Sequence, residues 1–114
     1  MNGLLINEEP CYHILIACTD LIDDDTGEPY YDYITTTGIV DEGVRIKNGE
    51  RMTFTINENE AIWFADFDNA LEWCKNYLDE FKRKFEKICP GMYDWDAVAI
   101  VEKKYKVTPL KNVK

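Results

Sequence analysis

Four short segments rich in β-branched and aromatic residues precede residue 57, and one long segment with a helical repeat follows it. "CYHILIACT", Cys11 to Thr19, is an almost continuous apolar run and predicts a strand buried on both faces, central in a sheet. "YYDYITTTGIV" after it is rich in Tyr, Ile and Thr and predicts a second strand, antiparallel to the first, that Gly38 bends or ends. Between them lies "LIDDDTGEPYYDY", Leu21 to Tyr33, in which Gly27 suits a hairpin turn and Pro29 introduces the second strand.

"VRIKNGERMTFTI", Val44 to Ile56, holds Asn48-Gly49, a strong hairpin signal. A two-residue loop would put Val44 and Ile46 on the opposite face from Met52, Phe54 and Ile56. A three-residue loop, Lys47 to Gly49 with Gly49 left-handed, pairs Ile46 with Glu50 and Val44 with Met52. All the even-numbered apolar residues then share one face, so that loop is expected.

In "FADFDNALEWCKNYLDEFKRKFEKICPG" the residues Phe67, Leu71, Cys74, Leu78, Phe81, Phe85 and Ile88 recur at steps of four and three, with Ala70 and Tyr77 widening the stripe. Asp66 suits the N-cap, and Pro90-Gly91 ends the helix. Twenty-two residues make a helix of about 33 Å, longer than a seven-residue strand of about 23 Å, so its last turns overhang the sheet. The stripe would serve either a helix packed on its own sheet, with Trp63 and Trp73 as packing residues, or a coiled coil offering Phe85 and Ile88 to a partner. Trp95 to Val107 supplies a last strand, and residues 108–114 a frayed tail. The expected fold is a single α+β domain over residues 1–114, of order β-β-β-β-α-β. A mostly antiparallel four- to five-stranded sheet carries one long helix on one face.

Charge changes this picture more than composition does. From Met1 to Val44 there are ten acidic residues and no Lys or Arg. Through Phe81 the balance is 18 acidic against four basic, and from Lys82 onward it is four against nine. Part of this follows the helix dipole, with Asp66, Asp68 and Glu72 at one end and Lys82, Arg83, Lys84 and Lys87 at the other. The dipole leaves residues 1–44 unexplained: either this is a generic acidic surface, or it meets a basic one and repels nucleic acid and anionic lipid.

Candidate chemistry is sparse. The chain has no serine, which removes serine-nucleophile hydrolysis. Cys11, Cys18, Cys74 and Cys89 contain no C-x2-C pair and His13 is the sole histidine, so free buried thiols are expected rather than a zinc site. An EF-hand register with Gly27 at position 6 puts Ile22 at position 1 and Tyr33 at position 12, and fails. His13 and Cys11 share a strand face, but alternate residues stand about 6.6 Å apart, so contact would need a bend and a core histidine is the expectation. Asp94 and Asp96 form a carboxylate pair of a kind that arises by chance in so acidic a chain. No cofactor or metal site and no enzymatic activity are expected. No apolar run reaches the about 20 residues of a membrane span, and "MNGLLINEEP" lacks the features of a signal peptide, so a cytoplasmic protein is expected.

In size, acidity and α+β plan the chain resembles the small acidic phage-encoded inhibitors of the anti-CRISPR and DNA-mimic class, and equally the immunity proteins that neutralise nuclease toxins. The resemblance implies a non-enzymatic protein that occupies the basic site of a nuclease or Cas effector, without itself binding nucleic acid through its acidic region. The expected partner surface has Asp20, Asp23, Asp24, Asp25, Glu28, Asp32, Asp41 and Glu42 for charge, and Tyr30, Tyr31 and Tyr33 as anchors. The alternative is a structural or interaction module that forms a homodimer through a sheet edge or the overhanging helix.

Overall fold

The computed structural model describes residues 10–104, with side chains described for residues 11–102. Strands β1 (Pro10–Ile22), β2 (Pro29–Thr36), β3 (Val44–Arg45), β4 (Arg51–Thr55) and β5 (Tyr93–Lys104) form one sheet in the order β3-β4-β2-β1-β5. Every neighbouring pair is antiparallel. A helical rod crosses one face: α1 (Phe67–Trp73), a π-helical turn (Cys74–Leu78) and α2 (Asp79–Ile88). The architecture is α+β. The expected strand residues 105–107, the tail 108–114 and residues 1–9 lie outside the described residues.

The β3–β4 hairpin forms with the register that keeps its apolar residues together. Val44 pairs with Met52, the Ile46 N–H donates to the Glu50 carbonyl (2.9 Å), and Gly49 has φ of +90°. Val44, Ile46 and Met52 are buried beneath the helix, with Phe54 packed against them. Ile56 lies beyond the end of β4 and is 85% exposed, so the shared face stops at Phe54. β2 ends at Thr36, two residues before Gly38.

Asp66 caps the rod, its Oδ1 accepting the Asn69 N–H at 2.8 Å. Phe81 and Phe85 are buried, whereas Phe67 and Ile88 at the two ends are exposed. The overhang is therefore shared between the ends, and Phe85 is not available to a partner. A π-helical turn spends more residues per turn than an α-helix. The stripe is wide there: Trp73 and Tyr77 pack against the core together with the expected Cys74 and Leu78, between buried Ala70 and Phe81. A clamp ties α2 to the β3–β4 hairpin. Glu80 accepts the Lys47 N–H (3.0 Å) and the Lys84 ammonium (2.8 Å), and Lys84 also donates to the Arg45 carbonyl. These hydrogen bonds, Lys84 first, hold the Glu80 carboxyl below the usual carboxylate range.

The opposite face of the sheet is also covered at one end, which the sequence reading did not anticipate. β1 and β2 pair from Leu15↔Tyr33 toward their hairpin. Beyond that point they part, and residues 61–64 enter between them. The Ile62 N–H donates to the Ile34 carbonyl, and Phe64 exchanges both backbone hydrogen bonds with Tyr12. A single 3-10 turn, Glu58–Glu60, leads into this segment, and the Glu60 carbonyl accepts the Thr35 hydroxyl. Cys11, His13, Thr35 and Ala61 are buried as a result.

Two glycines separate steric from torsional cost. Gly49 is left-handed with open space around its Cα, whereas a Cβ on Gly43, at φ of +66°, would overlap the Met52 carbonyl. Gly49→Ala should cost about 1–2 kcal/mol, the penalty of left-handed backbone alone. Gly43→Ala should cost more, because β4 must also shift. Urea denaturation of both variants checks the order.

Candidate functional site

The β1–β2 hairpin extends past its neighbours. β5 pairs with β1 only as far as Cys18↔Tyr93, and β4 pairs with β2 only as far as Tyr33↔Thr55. Beyond these positions the hairpin is a two-stranded arm, with irregular pairing between Ala17 and Ile22 that resumes at Ile22↔Pro29. Its tip is built by Asp23, whose carbonyl accepts from Gly27 N–H and whose N–H donates to Glu28 (both 2.8 Å). The Asp23 carboxylate accepts the Asp25 N–H at 2.8 Å, and Gly27 takes φ of +74°. Asp23 is thus engaged by the turn, while Asp24, Asp25 and Glu28 point into solvent. The arm also exposes large apolar groups: Leu21 (58%), Ile22 (55%), Tyr30 (51%) and Tyr31 (45%). Acid and apolar surface occupy the same narrow ribbon.

At the root of the arm, Asp32 lies on the helix face of β2 and accepts the Tyr93 hydroxyl at 2.5 Å and the Cys18 thiol at 3.8 Å. Burial, then the hydrogen bond to Asp32 and its charge, pushes the Tyr93 phenol far above its ordinary value near 10. Burial, then Asp32, likewise raises the Cys18 thiol. A cavity of about 240 Å³ opens here, lined by Cys18, Asp20, Leu21, Asp32 and Met92. Two carboxylates against apolar walls suit the ammonium or guanidinium end of a long basic side chain, whose stem the walls would cover.

The remaining expected site residues are scattered. Tyr31 and Tyr33 lie on the opposite face from Tyr30 and Asp32, because strand residues alternate. Tyr33 is half-buried, edge-on to His13 at 5.8 Å. Asp41 and Glu42 sit in the loop after Thr36, at the far end of β2 from the arm, where Arg51 donates to the Glu42 carbonyl (3.4 Å). They do not join the other residues. Asp94, opposite Ala17, and Asp96 do come to the root of the arm, through a bulge in β5 that inserts residues between the partners of Ile16 and Ala17. The Thr19 N–H and hydroxyl also donate to the Met92 and Gly91 carbonyls, bringing the loop that follows the lysine-rich helix end to the same root. Polarity along the sequence is therefore partly folded back on itself in space.

His13 is the core histidine that was expected, 5% exposed. It does reach Cys11: the imidazole bridges the strand spacing to a Nε2–Sγ distance of 3.6 Å. Nδ1 donates to the Ile62 carbonyl at 3.0 Å, and Nε2 faces the Cys11 thiol, with a Glu58 carboxylate oxygen 3.9 Å away. Cys11 is 2% exposed beneath residues 57–64, and this network satisfies buried polar groups. All four cysteines are free thiols, Cys11 and Cys18 buried and Cys74 and Cys89 half-buried. Among the described residues no three His, Cys, Asp or Glu side chains are grouped so as to hold a metal ion, and no helix is long and apolar enough to cross a membrane. The chain matches no protein-family model, no curated protein and no solved structure.

The Tyr93–Asp32 contact gives a pH dependence with a definite sign. The unfolded chain ionises Tyr93 near its ordinary value while the folded chain keeps the proton, so above about pH 10 the unfolded state binds fewer protons. The contribution is complete below that pH and lost as the pH rises. Tyr93→Phe should cost about 1 kcal/mol near neutrality, and the gap to wild type should narrow in urea denaturation above about pH 10.

Proposed function

We propose that this chain is a non-enzymatic inhibitor that occupies the basic site of a nucleic-acid-binding enzyme, a nuclease or Cas effector. This is the mode of the acidic anti-CRISPR and DNA-mimic proteins it resembles. The observation that supports it is the projecting arm, which offers Asp24, Asp25 and Glu28 beside Leu21, Ile22, Tyr30 and Tyr31 with no flanking strand among the described residues. Strand residues rise about 3.3 Å each, close to the about 3.4 Å per phosphate along one DNA strand, so such a ribbon fits a groove shaped for a nucleic-acid backbone. Charge would steer the encounter and the exposed apolar groups would hold the complex. The root cavity between Asp20 and Asp32 would take one basic side chain of the enzyme. Asp41 and Glu42 play no part in this surface.

A second reading, a module that forms a homodimer, is favoured by β5. It spans 12 residues at the edge of the sheet with β1 as its single neighbour among the described residues. Such an edge can pair with a second copy.

The first reading is tested by capturing partners from host lysate at low and high salt, then measuring the captured enzyme against variants. Asp24→Asn with Asp25→Asn and Glu28→Gln should slow association about tenfold or more at low salt, and the difference should fade as salt rises. Stability should be nearly unchanged, since Asp23 keeps the turn. Equal association rates would dispose of the arm as the contact surface. Sedimentation at low concentration addresses the second reading, with a stable dimer supporting it.

A further inference from the structure

At the end of β1 remote from the arm, residues 61–65 and the start of the helical rod enclose a surface groove. Two adjoining cavities, of about 410 and 330 Å³, share Trp63, Phe64 and Trp73 as walls. Tyr77 and Glu72 line the first, and Glu50 lines the second. Trp63 is 60% exposed, and its position is fixed from both sides. Ile62 hydrogen-bonds to Ile34 and Phe64 to Tyr12, so the side chain between them is held outward from the sheet. Trp73 and Tyr77 flank or belong to the π-helical turn, with ring centroids 5.7 Å apart. π-turns of this kind recur at functional sites because they displace side chains from the helical register.

We propose that this groove binds an arginine side chain of a partner protein. It stands apart from the arm and does not depend on it. Aromatic faces carry negative potential and attract cations. The chain already makes one such contact, the Lys47 ammonium standing 5.6 Å from the centre of the Tyr77 ring. Carboxylates at Glu72 and Glu50 add negative charge, and no Lys or Arg is found among the described residues that line either cavity. A nucleic-acid strand, which also stacks on tryptophan, would bring its phosphates against these carboxylates. A quaternary ammonium would leave them without hydrogen-bond donors. A guanidinium satisfies both requirements, since it is planar enough to stack on the indoles and has five N–H donors for the carboxylates.

Titration with N-acetyl-arginine amide, followed by NMR of the indole N–H signals, tests the assignment on the full chain. Trp63 and Trp73 should shift saturably in the millimolar range, while the Trp95 signal stays in place and reports that each variant is folded. Glu72→Gln should weaken binding about two- to fivefold and Trp63→Ala should abolish it. The Asp24→Asn and Asp25→Asn variant should bind as wild type does, which separates this groove from the arm. Equal shifts with the uncharged N-acetyl-citrulline amide, tighter binding of a trimethyl-lysine derivative, shifts with a single-stranded RNA but not with arginine, or no shift at all would each overturn the proposal.

Discussion

The contact on which most of this fold depends is the stack of Phe54 with the rings around it. Phe54 lies 5.1 Å from Phe81, 4.9 Å from Phe85 and 4.1 Å from Tyr93, centre to centre, and 6.0 Å from Trp95. Three elements meet there, and each brings a different constraint. β4 supplies Phe54 because its hairpin keeps the even-numbered register, and α2 supplies two phenylalanines one turn apart. β5 supplies Tyr93 and Trp95 because its bulge swings them over the sheet. Tyr93 extends beyond the cluster to Asp32. The root of the acidic arm is thus fastened to the helix–sheet core through one phenol, and the half-buried Asp32 carboxylate serves structure first. The cluster has its own cost, since the Trp95 indole N–H is buried there without a partner among the described residues.

A second constraint acts on the other face. Once β1 and β2 part, each has unpaired backbone groups that cannot be left dry, and burying such groups without hydrogen bonds is expensive. Residues 61–64 answer this by bonding to Ile34 on one side and Tyr12 on the other. The same segment seals His13 and Cys11, which explains why a histidine and a thiol in contact form part of a core. It also fixes the exposed Trp63. One short irregular stretch therefore closes a gap in the sheet, buries a polar pair and presents an aromatic ring to solvent.

Much of the helix–sheet layer was legible because it obeys a period. The Lys47–Gly49 loop followed from asking which register keeps Val44, Ile46, Met52 and Phe54 together. The Asp66 cap and the rod from Phe67 to Ile88 followed from spacing and chemistry. What was not legible lacks a period. The bulge that carries Asp94 and Asp96 to the arm depends on the partner strand, and a bulge leaves no trace in an apolar run such as "AVAIV". The π-turn depends on how Trp73 and Tyr77 seat against their surroundings. Residues 61–64 are too few to show alternation, and their bonds are dictated by the parting of two other strands. Trp63 and Trp73 could be read only as packing residues, since the groove between them arises from that insertion.

The acidic segment shows the same limit from the other direction. Ten acids without a base looked like one surface in the sequence, but β2 carries Asp41 and Glu42 away from the arm. From Tyr30 to Thr36 the strand advances about 20 Å, more than two Debye lengths at physiological salt, so exposed charges at its two ends act almost independently. What remains together is Asp20, Asp23, Asp24, Asp25, Glu28 and Asp32, with Asp94 and Asp96 arriving from a distant part of the chain. A count of charge along the sequence overstates the first group and misses the second. Both candidate binding surfaces, the arm and the Trp63 groove, lie where strand pairing runs out. The reason is physical: where neighbouring strands flank both sides, side chains are committed to those neighbours, whereas the arm keeps only its own two-stranded pairing and leaves aspartates and aromatic rings exposed to meet another molecule.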